Sequence, residues 1–68
     1  MTMDLKTARV AAKMTQAEAA AKLGTTTASL CRWERGVRTP KVTTFFRLCE
    51  LYGVSPSDIF MPWMQGQD

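Results

Sequence analysis

The chain has 68 residues, 46% hydrophobic and 22% charged, with a net charge of +3 and no histidine. Such a length predicts one domain, near the lower size at which a single core holds without staples. The composition argues against disorder, no apolar run is long enough to cross a bilayer, and MTMDLKTARV lacks a signal-peptide pattern.

Residues 1–4 read as a short lead, with Asp4 or Thr2 capping a first helix of about 5–13. Leu5, Ala8 and Ala12 share one face of that helix, with Val10 toward its edge. Thr15 and Glu18 have capping-box spacing, the hydroxyl and the carboxylate each satisfying the other residue's backbone N–H. They open a second helix over 16–23, where Ala19, Ala20 and Ala21 give high helix propensity and Met14 is placed to staple against Ala19. Gly24 suits the left-handed end of a helix. Thr26 is a candidate N-cap for a third helix over 27–35, stopped by Gly36. Ala20, Leu23, Leu30 and Trp33 fall where each helix buries one face against the other, so a helix-turn-helix is predicted.

The loop VRTPK follows, and then a fourth helix over 42–52 with a broad apolar stripe of Val42, Phe45, Phe46, Leu48, Cys49 and Tyr52, ended by Gly53. Ser55-Pro56-Ser57-Asp58 predicts a fifth helix over 56–61: a serine cap, proline at the first position and an acid in the first turn. Ile59 and Phe60 supply its buried face and Pro62 stops it. The expected fold is therefore all-α, a compact five-helix domain over 1–68, without internal repeat or linker. Phe60, Met61, Trp63 and Met64 are more apolar surface than so small a domain hides readily. Either they fold back as core, or residues 61–68 form a self-complementary dimerisation tail.

The series Thr15-Gln16-x-Glu18-x-Ala20-x-x-Leu23-Gly24, then Thr26-x-x-Ser29-Leu30-x-x-Trp33-Glu34-Arg35-Gly36 and Pro40, resembles the helix-turn-helix family of phage repressors and Cro proteins. The resemblance runs from about residue 5 to residue 60. It implies a lambda-repressor-like fold in which the 27–35 helix enters the major groove of double-stranded DNA, with Thr27, Ala28 and Arg32 facing the bases. The Arg32 guanidinium matches the O6 and N7 acceptors of guanine, Ala28 suits a thymine methyl, and phosphate contact is the alternative for Arg32. Gln16, Thr26, Ser29, Arg35, Arg38 and Lys41 are candidate phosphate contacts, which set register and salt dependence. The resemblance also implies that Arg9 pairs with Glu34, tying the first helix to the recognition helix; two unrelated surface charges are the alternative. Family members often dimerise through their C-terminal region, which favours the tail as the dimer interface.

The sequence departs from the family at Ala19, usually leucine, and at Trp33, usually isoleucine or leucine; the indole is expected to fill the core volume that Ala19 leaves. Cys31 and Cys49 read as reduced thiols, Cys31 on the exposed side of the recognition helix and Cys49 in the core. Without histidine or a CxxC pair no metal site is expected, nor is a cofactor or small-molecule ligand. The acids are scattered and no serine, threonine or cysteine has an evident base partner, which argues against an enzyme. The expected function is a cytoplasmic DNA-binding regulator in a bacterium or phage-infected host, a Cro-type repressor acting as a homodimer on a pseudopalindromic operator. An activator controlling restriction–modification genes and an antitoxin or protein-interaction module are the alternatives on the same fold.

Overall fold

The computed structural model describes residues 3–59, and each helix in it is bounded by an identifiable local signal. Asp4 Oδ1 accepts from the Thr7 N–H at 2.7 Å and starts α1, Leu5–Ala11. Hydrogen bonding from the Thr7 side chain first, and then from this Thr7 N–H, holds the Asp4 carboxyl below its usual range. Thr15 and Glu18 form the complete capping box of α2, Gln16–Leu23, with the two reciprocal bonds at 3.1 and 2.9 Å. Thr26 Oγ1 accepts from the Ser29 N–H at 3.1 Å and starts α3, Thr27–Arg35. Only α4, Val42–Tyr52, begins without a side-chain cap, at Lys41.

All four helices end in the same hydrogen-bond pattern. In α2, Gly24 N–H donates to Ala21 O and Thr25 N–H to Ala20 O; the pairs at Gly36–Val37 and Gly53–Val54 repeat this at the ends of α3 and α4. Each glycine is left-handed, with φ of 73°, 77° and 72°, as this closing motif requires. The end of α1 is the same, Lys13 N–H to Val10 O and Met14 N–H to Arg9 O, but the left-handed residue is Lys13, at φ 61°. The first helix thus ends two residues before the expected limit of 13, because Lys13 takes the reversal that glycine takes elsewhere.

The predicted fifth helix over 56–61 is corrected: Pro56–Asp58 is a single 3-10 turn, and Ile59 is already extended. Ser55 and Asp58 do form a capping box, but Ile59 pairs in an isolated parallel bridge with Met3, whose N–H donates to Asp58 O at 2.8 Å. Met3 is thereby pinned to the end of the described chain. Residues 60 and 61, like the tail after them and the alternative cap Thr2, lie outside the described residues.

Leu5, Ala8, Ala19, Ala20, Leu23, Leu30, Phe45, Leu48, Cys49, Tyr52 and Ile59 form the core. Around it α2 packs on α3 and α4, and α1 on the same two helices. The buried positions of α4 are Phe45, Leu48, Cys49 and Tyr52, an i, i+3, i+4, i+7 stripe. Val42 and Phe46, expected in that stripe, are instead 63% and 52% exposed. Trp33 is partly buried against the core, and Ala19 is fully enclosed. Cys49 is a buried free thiol whose pKa burial pushes up, and Cys31 is a half-buried free thiol. No helix among the described residues is long and apolar enough to cross a membrane.

Two predictions follow from this packing. A left-handed residue with a Cβ is strained, so Lys13→Gly raises stability by about 0.5–1 kcal/mol in urea unfolding, and a loss contradicts the assignment. Tyr52 Oη is buried with no hydrogen-bond partner among the described residues. Desolvation, with Glu34 adding and Arg9 opposing, pushes the phenol from its ordinary 10 up to about 12. The fold favours the neutral phenol, so the Tyr52 contribution is fully present below pH 10 and is lost as pH rises through about 12. Tyr52→Phe should therefore fold at least as stably at pH 7, having no hydrogen bond to lose. Between pH 10 and 12 it should lose less stability than the parent; parallel pH–stability curves would contradict this.

Candidate nucleic-acid interface

The turn Gly24–Thr26 sets α2 and α3 against each other, and an ion pair fixes both relative to α1. Arg9 Nε donates to Glu34 Oε2 at 2.7 Å, and Arg9 Nη2 makes a longer contact of 3.5 Å with Glu34 Oε1. Arg9 Nη1 donates to the Met14 carbonyl at 2.8 Å, and Gln16 Nε2 donates to Glu34 Oε1 at 3.0 Å. The paired side chains are 10% and 4% exposed. The hydrogen bond from Arg9 to Glu34 raises the guanidinium pKa further, against the cost of burial. One carboxylate therefore receives donors from α1 and from the start of α2 while sitting on α3. Gln16 was expected to face a phosphate; its tie to Glu34 across 18 residues of sequence had no local signal.

Burying Glu34 has an electrostatic consequence. It is the one acid between Glu18 and Glu50, and it is neutralised inside the structure. Arg32, Arg35, Arg38 and Lys41 are all exposed, so α3 and its following loop carry cations without an exposed carboxylate among them; Arg47, also exposed, lies in a separate recess with Lys22 and Glu50. Such local excess attracts a polyanion far more than a net charge of +3 suggests.

On α3, Thr27, Ala28 and Arg32 are exposed while Leu30 is fully buried. Thr26 is exposed and Ser29 half-buried, and the Thr26 hydroxyl donates to Ser29 Oγ at 3.0 Å. A cavity of about 220 Å³ between α3 and the following loop is lined by Ser29, Arg32, Trp33, Arg38 and Thr39. It brings Ser29, Arg32 and Arg38 together and adds two residues that the sequence did not mark, Thr39 and Trp33. Both are uncharged; Trp33 is one turn after Ser29 on α3 itself, and the return of the loop toward α3 brings Thr39 there. Arg35 and Lys41 are exposed outside this cavity. Phe60, Met61, Trp63 and Met64 lie outside the described residues. No group of three or more potential metal ligands occurs among the described residues.

The sequence pattern of the helix-turn-helix family matches residues 5–59. Comparison with curated proteins and with solved structures gave no match.

The pair should show the asymmetry of a buried salt bridge. Arg9→Met or Glu34→Leu alone leaves one buried charge unpaired and costs about 3–5 kcal/mol. The double variant costs less than the sum of the two, because no lone charge remains. Chemical unfolding of the four proteins measures this, and an additive double variant contradicts it.

Proposed function

The chain belongs to the helix-turn-helix family of DNA-binding regulators, and we propose that within it this protein is a Cro-type repressor. It binds a pseudopalindromic operator as a homodimer, with α3 in the major groove, and represses by occupying a promoter in a bacterial or phage-infected cell. The observation that carries this reading is the burial of Glu34, which leaves the exposed charge of α3 and its following loop wholly positive.

Thr27, Ala28 and Arg32 read base edges, Arg32 as a fork onto guanine and Ala28 against a thymine methyl. Gln16, Thr26, Ser29, Arg35, Arg38 and Lys41 contact phosphates and fix the register. The cavity supports adding Thr39 to that set, since its hydroxyl lies with Ser29 and Arg38 around one polar recess. Phe60, Met61, Trp63 and Met64 form the contact between the two copies. The same cavity favours a second reading of Arg32 alone, as a phosphate ligand beside Arg38.

Selection from random duplex DNA at several salt concentrations tests the proposal. The expected product is a two-fold site with half-site centres about one helical turn, roughly 34 Å, apart. Arg32→Ala should relax one base position at a cost of about 1–3 kcal/mol. Arg38→Ala should weaken all sequences equally and lower the salt slope by about 1. Uniform weakening by Arg32→Ala assigns that side chain to phosphate, and recovery of no preferred sequence by the parent contradicts the function.

A further inference from the structure

Gln16 occupies the first position of α2, half-buried, and gives one Nε2 hydrogen to Glu34 Oε1 at 3.0 Å. A carboxamide nitrogen carries two hydrogens, so this bond leaves the second and fixes the plane in which it lies. The acceptor is itself held. Glu34 Oε2 takes the 2.7 Å bond from Arg9, and Arg9 is anchored by the 2.8 Å bond to the Met14 carbonyl. We infer that Glu34 is a positioning residue for DNA, holding Gln16 so that its remaining N–H is set toward a backbone phosphate before DNA arrives. The inference rests on the reading of α2 and α3 as the DNA-binding face.

Two physical points favour this division of labour. A free glutamine loses much of its rotamer freedom when it grips a ligand; a glutamine already tied to Glu34 has lost it on folding, so binding is not charged for it again. A bare carboxylate so near a phosphate would repel it, but Arg9 neutralises Glu34, so the acid orients the amide without opposing the anion. The bridge also accounts for the side-chain length, since Asn at this position is one methylene short of spanning from Glu34 to a group outside.

The sequence makes the test unusually clean, because its side-chain carboxamides belong to Gln16, Gln65 and Gln67 alone. Nitrogen-15 relaxation of these three NH₂ groups in the unaltered protein, free of DNA, should give Gln16 an order parameter above about 0.6, outside the flexible range. A Gln16 amide as mobile as that of an unfolded peptide overturns the inference. Binding of the selected operator duplex then closes a cycle: Gln16→Ala weakens the parent about tenfold but weakens Glu34→Gln by less than about threefold. Equal losses in both backgrounds mean that Glu34 acts only structurally and overturn it. Should Glu34→Gln fail to fold by circular dichroism, Gln16→Asn decides: affinity as low as that of Gln16→Ala supports the bridge, and parental affinity overturns it. Failure of the unaltered chain to bind any duplex overturns the DNA reading, and this inference with it. An additive cycle in a chain that binds its operator overturns the inference alone.

Discussion

Removal of one carboxylate from the surface organises much of what is distinctive here. Glu34 sits on the helix whose outer face is exposed to solvent, yet its side chain turns inward to meet Arg9 from α1 and Gln16 from α2. A buried ion pair contributes little net stability over a hydrophobic alternative, and its strength lies in how badly either partner tolerates being alone. Here that intolerance fixes three helices relative to one another at one point. It also decides the surface: with Glu34 inside, the cations from Arg32 to Lys41 face solvent without an exposed acid among them. Packing and electrostatics are therefore two consequences of the same contact.

Around that point the architecture is built from inexpensive local devices. Short polar side chains satisfy the first N–H groups of α1, α2 and α3, and a left-handed residue reverses the chain after every helix. Devices of this kind are worth about 1 kcal/mol each, small singly but substantial for a domain of 68 residues. They keep α2 and α3 short, which sets a tight turn between them and places Gln16, Thr26 and Ser29 at or just inside helix starts. The α4 helix lacks such a cap because Lys41 stands at its N-cap position and makes no side-chain capping bond, so the basic loop runs directly into the helix start.

The sequence discloses elements whose ends carry chemistry of their own, and it is weaker where ends are set by tertiary contacts. The ranges of α2, α3 and α4 match expectation because threonine or a basic loop marks one side and glycine the other. The end of α1 does not, because Lys13 adopts a conformation that its residue type disfavours. Ser55 to Asp58 has the composition of a helix start, but the pairing of Ile59 with Met3 draws the chain out after one turn. Hydrophobic spacing admitted Val42 and Phe46 to the stripe of α4, since period alone does not say how wide a buried face is. At the candidate site, charge and motif position bring out the arginines. Trp33 and Thr39 are uncharged and so escape a reading by charge, and the bond between Gln16 and Glu34 depends on folding distant segments together and leaves no mark in composition.

The proposed DNA-docking face is built on this contact, from the start of α2, the outer side of α3 and the loop to Lys41. Backbone amide chemical-shift mapping of the full chain during titration with a mixed-sequence duplex at low salt tests it most directly. The largest shifts are expected to cluster at Gln16, Thr26 to Arg32 and Arg38 to Lys41, and to shrink steeply as salt rises. Shifts concentrated instead on the outward side of α4 and the end of α2, around Lys22, Arg47 and Glu50, or no shifts at all, would contradict it.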